Sequence, residues 1–397
     1  MKIEWNRKYT TIAVYAVLVV IASLVCYNVL HNFNSYKAAF HKLIDILLPV
    51  IYGFSIAFVL DPVTRFFEKK VLPKISRGKL SSKWNKGLSV LLTYLVAVLV
   101  IGIFLSVVIP QVTASIAGII SNLSIYLGRV SEWLNDLFEM LPKEEWFQET
   151  LEKINESAKA ILETFYNWLS ASLPLVFNAT KNLTTGLTNL VLGVIISIYF
   201  LFGKERFFAQ IKKFLYAMLP KGFVERLIDM THTSNRIFSG FISGKLLDSL
   251  IIGILCFVGM SVFRMPMAML VSVIVGVTNV IPYFGPFIGA IPSALIVFLI
   301  DPIKALWFVL FVICLQQFDG NILGPRILGD SIGMPSFWVI FSILLFGGYL
   351  GVLGMFIGVP TFAVIYSIFK IWTESRLNRK NLPVDTKSYA SKENPLL

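Results

Sequence analysis

Residues 279–331 read NVIPYFGPFIGAIPSALIVFLIDPIKALWFVLFVICLQQFDGNILGPRILGDS, and this stretch decides the fold. Its otherwise apolar segments are interrupted at Pro282, Pro286, Pro292 and Gly320. In a lipid bilayer each unsatisfied backbone group costs several kcal/mol, so an interrupted helix is tolerated only where protein buries it or where it lines a wet cavity. The stretch therefore predicts the pathway of a membrane carrier.

The composition of the whole chain is typical of a membrane protein. Apolar residues make up 56% of the 397 residues, charged residues make up only 15%, and the mean hydropathy is +0.75. Several apolar runs approach the ~20 residues with which a helix crosses a bilayer. We expect an all-α polytopic membrane protein with about eight membrane segments, of which those in the C-terminal half are re-entrant or broken helices. Amphipathic helices outside the membrane complete the expected fold.

The charge pattern predicts the topology. The net charge of +12 does not indicate nucleic-acid binding, because the basic residues lie in short segments between apolar runs. Residues 61–86 are strongly basic, so the positive-inside rule places this loop, and with it the N-terminus, in the cytoplasm next to anionic lipids. Residues 111–186 contain nine acidic and five basic residues and suit the outer face, and the basic tail at 373–397 predicts a cytoplasmic C-terminus.

Hydropathy and charge divide the chain into five regions. They are a three-span region with a basic cytoplasmic loop (1–110), an external amphipathic helical segment (111–186), a fourth span with a cytoplasmic interfacial helix (187–245), a transport core (246–372) and a cytoplasmic tail (373–397). Residues 130–169 repeat apolar side chains at helical spacing, which predicts two amphipathic helices. These helices either pack on each other or on the lipid surface, or they recognise an external partner or a neighbouring subunit.

The core at 246–372 contains six apolar stretches, and several of them, at about 14 or 15 residues, are too short for straight spans. Six crossings, or two crossings and two re-entrant hairpins, would both return the chain to its starting side. A shift of 69 positions lays Pro266 on Pro335 and the GPFIG of residues 285–289 on the GMFIG of residues 354–358. This match favours hairpins in an inverted repeat, as in many secondary carriers, although two Gly-rich apolar stretches also match by composition alone.

Polar and helix-breaking residues within and between these repeats are the candidate functional groups. Those expected to line the pathway of a small solute or cation are Asn279, Tyr283, Gln316, Gln317, Asp319, Asn321 and Arg326. Those expected to let the hairpins pack closely or move are Pro282, Gly285, Pro286, Gly289, Pro292, Gly320, Gly354, Gly358 and Pro360. We expect the two hairpins to face each other near the midplane of the bilayer, with the DGN stretch at 319–321 between them.

The acidic residues of the core allow more than one interpretation. Asp319 is either the titrating or cation-ligating group of a carrier, or it forms a structural ion pair with Arg326 or caps a helix. Asp248 is interpreted as an interface charge or a first-turn helix acid rather than a coupling site. Asp301 precedes Pro302 and is interpreted as a turn residue.

The sequence carries no recognisable catalytic or cofactor motif. GFISGK at 240–245 is one residue too short for a phosphate-binding loop, and Leu246 follows where that loop has Ser or Thr. The histidines are isolated, and neither a nucleophile elbow nor a metal-ligand spacing occurs. We expect no enzyme activity, no cofactor and no metal site.

Three long motifs, NVIPYFGPFIGAIPSAL, QQFDGNILGPRILGDSIGM and GGYLGVLGMFIGVPTFAVIY, together resemble the autoinducer-2 exporter family of bacterial permeases, and FSGFISGKLLDSLIIGIL resembles the segment that precedes them there. The motifs cover residues 238–372, and the N-terminal half is compatible in length and span order. The resemblance implies a multi-pass protein of the bacterial plasma membrane and a homo-oligomer, such as a pentamer. Some family members are linked to export of the quorum-sensing signal autoinducer-2, others look like sodium or lithium/proton antiporters, and many have no known substrate.

The sequence thus predicts a secondary carrier that moves a small solute across the bacterial plasma membrane. One alternative is a sodium or lithium/proton antiporter. The other is a membrane scaffold or regulator that acts through the external helices at 130–169 and transports nothing.

Overall fold

The computed structural model describes residues 7–76, 81–122, 183–328 and 333–390, together with isolated positions between 125 and 167. Within these residues the chain is helical and contains no strand. The helices are α1 (Arg7–His31), α2 (Phe33–Phe66), α3 (Leu72–Ile75), α4 (Ser82–Ser121), α5 (Leu183–Met218), α6 (Lys221–Val262), α7 (Ala268–Thr278), α8 (Gly285–Ile300), α9 (Pro302–Phe318), α10 (Gly324–Leu328), α11 (Ser336–Arg379) and α12 (Lys387–Ala390). Two π-helical turns, Phe67–Val71 and Asp319–Leu323, join α2 to α3 and α9 to α10.

Six of the described helical segments are long and apolar enough to cross a membrane. They are Thr10–Asn28, Ser35–Ile75, Ser82–Ser121, Lys221–Val262, Pro302–Ile327 and Ser336–Arg379, and α7 and α8 are shorter apolar helices. Even in the most buried of the six apolar windows, that of α6, only 39% is covered by the rest of the protein. Apolar surface of this extent is stable in lipid and not in water. The predicted all-α polytopic membrane fold is confirmed.

The chain forms two compact units, and the first comprises Met1–Ala57 and Thr184–Phe202. It contains α1, most of α2 and the first half of α5. Gly53 of α2 lies against α5 so closely that a Cβ atom at this position would be 2.6 Å from Ile196 Cγ2. A glycine is therefore needed where the two helices touch.

The second unit comprises Phe58–Leu183 and Gly203–Leu397, and α6 is its central helix. The C-terminal half of α6 packs with α4, α7, α8 and α9 in an apolar core that includes Ile119, Ile252, Cys256, Met260, Val271, Val275, Ile296, Val297, Phe308 and Val312. The N-terminal half of α6 packs with α11 in a smaller core formed by Phe241, Val339, Ile343 and Val359.

Helices α7 and α8 form the first hairpin. They have 11 and 16 residues, and each is shorter than the ~20 residues that a straight span needs. The turn between them holds Tyr283 at φ 62, a left-handed conformation that bulky residues rarely adopt. Gly285, two residues after Tyr283, packs against the end of α7. A Cβ atom at this position would lie 2.0 Å from the carbonyl oxygen of Thr278. The chain therefore folds back on itself, as the short apolar stretches predicted.

Helix α11 forms the second hairpin, since its backbone is not helical at Gly351 (φ 61, ψ −141). A Cβ atom on Gly354 would lie 2.0 Å from the carbonyl oxygen of Phe346, and one on Gly358 would lie 2.6 Å from Phe346 Cβ. In a straight helix residues eight positions apart are ~12 Å apart, so these contacts require a reversal of the chain. Both hairpins thus combine a left-handed turn residue with a following glycine that contacts a carbonyl group of the preceding helix. Their inverted orientation stays a prediction.

The two hairpins contact different segments of α6. The first packs on the half that contains Ile252 and Met260, and the second packs on the half that contains Phe241. Helix α6 has 42 residues, so the two hairpins can pack against successive segments of it. The sequence predicted instead that the hairpins face each other.

Ion pairs join two basic segments that the sequence placed on the same side of the membrane. Lys204 Nζ donates to Asp61 Oδ1 at 2.6 Å, and Lys86 Nζ lies 3.2 Å from Glu205 Oε2. The basic segment that begins at Asp61, which is helical up to Ile75, and the segment that begins at Lys204 therefore lie together. Their cytoplasmic location stays a prediction.

Two helices of the structure run across limits that the sequence suggested. The predicted fourth span at 187–203 and the interfacial helix after it form one continuous helix, α5, which ends at Met218. Helix α6 likewise runs without a break through residue 245. The predicted external helices at 130–169 lie outside the described residues, apart from a few isolated positions.

Candidate functional site

Four buried polar side chains meet inside the second unit, and we call them the buried polar cluster: Lys245, Asp248, Asn279 and Asp319. Lys245 Nζ donates to Asp248 Oδ2 at 2.7 Å, which is the length of a strong charge-assisted hydrogen bond. Asn279 Nδ2 donates to the same oxygen at 3.2 Å and to Asp319 Oδ2 at 3.4 Å. The four residues are 6%, 0%, 0% and 8% exposed, in that order. One amide group thus bridges two carboxylates that come from different helices.

A close crossing of α6 and α7 positions the cluster. Where the two helices cross, a Cβ atom on Gly276 would lie 3.0 Å from the Cα atom of Gly253. Because neither residue has a side chain, the two backbones approach each other closely. Asn279 lies about one turn after Gly276, and Asp248 lies little more than one turn before Gly253, so the crossing brings these polar side chains into contact. Asn279 also ends α7, which leaves its side chain free to reach a third helix.

Asp319 enters the cluster through a local irregularity of the backbone. It begins the π-helical turn Asp319–Leu323, directly after α9. Such turns insert one extra residue into a helix, are rare, and occur frequently at functional sites. The turn leaves Asp319 buried, whereas its neighbours Phe318 and Gly320 are exposed.

Three residues of the cluster each keep one side-chain oxygen without a hydrogen-bond partner among the described residues. These atoms are Asp248 Oδ1, Asn279 Oδ1 and Asp319 Oδ1, and Ser249 Oγ, next along α6, is also buried and unpartnered. A buried polar group that loses its partner costs about 1–3 kcal/mol, and more if it is charged. With both carboxylates ionised and Lys245 protonated, the cluster carries one negative charge in excess. Its chemistry suits the binding of a proton or a cation.

Of the predicted pathway residues, the structure brings Asn279 and Asp319 together. Gln316, about one turn before Asp319, is half-buried, and its Nε2 atom is buried and has no partner within the described chain. Gln317 and Asn321 are exposed and bind each other, since Asn321 Nδ2 donates to Gln317 Oε1 at 2.9 Å. These two residues therefore lie on another face of the helix than the cluster.

Tyr283 and Arg326 lie outside the cluster. Tyr283 is 50% exposed in the turn of the first hairpin, and Arg326 is exposed in α10. Among the residues that the structure describes, Arg326 forms no salt bridge. The ion pair that the sequence allowed between Asp319 and Arg326 is therefore not formed there, and Asp319 is held by Asn279 instead.

The predicted hinge residues belong to both hairpins and to the π-helical turn. Four glycines are buried against the preceding helix of their hairpin: Gly285, Gly289, Gly354 and Gly358. The prolines occupy the turn or the following helix: Pro282, Pro286 and Pro292 in the first hairpin and Pro360 in the second. A Cβ atom on Gly320, in the π-helical turn, would meet nothing within 4 Å.

Sequence reasoning missed Lys245 and Asp248. The interpretation of Asp248 as an interface charge or a first-turn helix acid is wrong, because this residue is 0% exposed and lies in the interior of α6. The available signal was the i, i+3 spacing of two opposite charges, which places both on one helix face at the edge of an apolar run. The interpretation of Asp301 as a turn residue is confirmed, since its side chain accepts the backbone N–H of Lys304 at 3.0 Å and caps α9.

Broken membrane helices with ionisable residues buried among them are the organisation of a membrane transport protein. A family model described as AI-2E family transporter matches residues 12–374 of the chain. The chain therefore belongs to the AI-2E transporter family, as the motifs of its C-terminal half indicated.

Individual relatives agree with this membership. YueF of Bacillus subtilis is 27% identical over 316 residues, which cover 78% of this chain and 80% of YueF. YrrI of the same organism is 27% identical over 323 residues, with 78% and 81% covered. YhhT of Escherichia coli K12 is 25% identical over 352 residues, with 87% and 89% covered. All three are named putative transport proteins, and the protein described here is accordingly a multi-pass membrane permease.

Proposed function

We propose that the protein is a secondary carrier that exchanges an alkali cation for protons across the bacterial plasma membrane, and that the buried polar cluster binds these ions. The observation that supports this proposal is the pair of buried carboxylates, Asp248 and Asp319, which share one amide donor from Asn279 while each keeps an unpartnered oxygen. Ionisable residues within membrane segments mark ion pathways and proton relays. A structural role alone would be better served by fully paired side chains.

Charge balance gives the reason for ion binding. Taking an ionised carboxylate out of water costs several kcal/mol even after relaxation, and the cluster has two carboxylates but one lysine. Lys245 neutralises Asp248, so Asp319 needs a proton or another cation to become neutral. Two ions that compete for one carboxylate are the minimum requirement of an antiporter.

Movement of the hairpins could expose the buried polar cluster alternately to the two sides of the membrane. The first hairpin supplies Asn279 from the end of α7, and its turn contains the strained residue Tyr283. The second hairpin packs on α6 and reverses at Gly351, where the backbone lies in the left-handed region. A movement of either hairpin along α6 would change which side of the membrane reaches the cluster, as in carriers built from broken helices.

A second candidate is export of a small polar organic solute, such as autoinducer-2, driven by the same ion exchange. The family name supports it, and so do the exposed polar residues outside the cluster, Tyr283, Gln317, Asn321 and Arg326. These residues do not converge on the cluster, so cation exchange is the function that the geometry supports better. We further propose that both termini are cytoplasmic and that the protein assembles as a homo-oligomer, such as a pentamer, in contact with membrane lipids.

The proposal is tested with purified protein in liposomes that contain a pH-sensitive dye. Outward gradients of sodium, lithium or potassium are applied to the wild type, to Asp319→Asn and to the matched control Asp301→Asn. Asp301 is a partly exposed helix-capping acid, and asparagine also caps helices well, so this control changes an acid without touching the cluster.

We expect a cation gradient to drive proton movement in the wild type and in Asp301→Asn but not in Asp319→Asn. Proton movement that persists at the wild-type rate in Asp319→Asn would refute the role of the cluster. If monodisperse wild-type protein moves no protons with any cation, the exchange proposal fails. Uptake of labelled autoinducer-2 by the same liposomes would then separate an organic-solute carrier from a scaffold that transports nothing.

A further inference from the structure

We propose that the cluster takes a small monovalent alkali cation on the oxygens of Asp248, Asn279 and Asp319, and that the Lys245 ammonium group is a tethered competitor that holds Asp248 when no cation is bound. This inference rests on the proposed ion exchange and adds the ligand set and the residue that sets the cation affinity. It starts from two independent features of the site: the unpartnered buried oxygens and the buried ion pair.

The oxygens define the class of ligand. Carboxylate and amide oxygens are the ligands that hard cations prefer, and the cluster offers one unpartnered oxygen from each of Asp248, Asn279 and Asp319. With Lys245 protonated, the excess charge is that of one electron, so one monovalent cation makes the site neutral. A divalent cation would leave an uncompensated positive charge in apolar surroundings. The charge count therefore favours sodium or lithium over calcium or magnesium.

The ion pair between Lys245 and Asp248 differs from the other ion pairs of the described residues. Its side chains are only 7% and 1% exposed, whereas each of the others has at least one side chain that is 23% exposed or more. A buried ion pair contributes little net stability compared with apolar side chains of similar volume. Lysine is also suited to a reversible contact, since its ammonium group is a point charge on a flexible four-carbon stem.

The position of the ammonium group makes it a competitor. Lys245 Nζ binds Asp248 Oδ2, the same oxygen to which Asn279 donates, and thereby occupies the positive position of the site. A cation that binds both carboxylates must take over part of this interaction. Removing the ammonium group should therefore strengthen cation binding, although it removes a strong hydrogen bond from the interior.

The test measures equilibrium binding of radioactive sodium to the purified full chain at pH 8.5 and constant ionic strength. The variants are Lys245→Gln, the charge-preserving Lys245→Arg, and Asp248→Asn. The matched control is Lys304→Gln, because Lys304 forms the same i, i+3 pair with Asp301 on a partly exposed surface. If Lys245→Gln does not yield monodisperse protein, Lys245→Met, with a side chain of similar length, replaces it.

We expect Lys245→Gln to lower the Kd for sodium at least tenfold and Lys245→Arg to bind sodium no more tightly than the wild type. The control Lys304→Gln should bind sodium like the wild type, and Asp248→Asn should lose sodium binding. A gain of affinity cannot result from structural damage. Unchanged or weaker binding in Lys245→Gln would overturn the competitor role, and displacement of sodium by equimolar calcium would overturn the monovalent assignment.

The outcomes also separate this inference from the proposed function. If Asp319→Asn abolishes cation-driven proton movement but Lys245→Gln gains no affinity, the ion exchange stands and the role of Lys245 is refuted. If proton movement is independent of Asp319, both are refuted.

Discussion

Replacing Gly285 with alanine should force the first hairpin apart. The added Cβ atom would lie 2.0 Å from the carbonyl oxygen of Thr278 and 2.8 Å from its carbonyl carbon. Both atoms belong to the backbone, so no side-chain rotation relieves the contact. The two helices must separate by about 1 Å to restore an ordinary distance, which also moves Asn279 relative to its carboxylate partners.

The size of the effect follows from this displacement. Overpacking a tight contact costs about 1–3 kcal/mol, and a clash with backbone atoms belongs at the upper end of that range. At about 2 °C per kcal/mol for a large chain, we expect the apparent Tm to fall by about 4–6 °C. The same expectation holds for Gly354→Ala, because its Cβ atom would lie 2.0 Å from the carbonyl oxygen of Phe346.

Thermal unfolding in detergent at a fixed scan rate measures the difference, since membrane proteins unfold irreversibly and their apparent Tm depends on that rate. Gly348→Ala is the control, because it lies in the second hairpin and its Cβ atom would meet nothing within 4 Å. There alanine should leave the stability unchanged or raise it by up to about 1 kcal/mol, through its better helix propensity. Equal melting temperatures for Gly285→Ala and Gly348→Ala would refute the hairpin packing.

Two further perturbations probe the cluster and the turn next to it. Asp248→Asn leaves the Lys245 ammonium group buried without its carboxylate, so we expect the stability measured by thermal unfolding to fall by about 3–5 kcal/mol. Combining Lys245→Met with Asp248→Leu should restore most of this stability, because both charges are then absent. A double variant as unstable as Asp248→Asn would contradict this reasoning. Tyr283→Gly should raise the stability by about 1 kcal/mol, because glycine adopts φ 62 without strain. A lower apparent Tm in this variant would show that the tyrosine side chain contributes more than its backbone strain costs.

The sequence predicted the first hairpin because the lengths of its apolar stretches carried the necessary information. Neither α7 nor α8 is long enough to span a bilayer, and Pro282 between them disfavours one continuous helix. Asn279 and Asp319 were both predicted to line the pathway, because ionisable residues within membrane segments are mostly functional or paired. Their direct contact was not predicted. Asp301 before Pro302 was a local signal of a turn, and local signals are the most readable from a single sequence.

The roles of Lys245 and Asp248 could not be predicted in the same way. The basic excess before residue 245 predicted a cytoplasmic segment that ends where the transport core begins, but α6 continues across this boundary as one helix of 42 residues. What decides its course is tertiary packing: the glycine crossing with α7 and the contact of Phe241 with the second hairpin. Neither contact leaves a local pattern in the sequence.

Gln317 and Asn321 stay outside the cluster because they lie on a different face of their helix from Asp319. Gln317 and Asn321 are four positions apart and therefore lie on one face, where they bind each other. Asp319 lies between them in sequence and points to another face. The π-helical turn that begins at Asp319 further changes the direction in which the side chains point. No residue type in this stretch predicts such a turn.

The most direct test of a single ion site is the rate of sodium-driven proton movement in Asp248→Asn, in Asp319→Asn and in the double variant, all in liposomes at equal protein content. Residues that act as one unit show strongly non-additive effects. We expect each single substitution to slow the exchange by about tenfold or more, and the double variant to be no slower than the slower single variant. A wild-type rate in Asp248→Asn, or two effects that multiply independently in the double variant, would contradict a shared site.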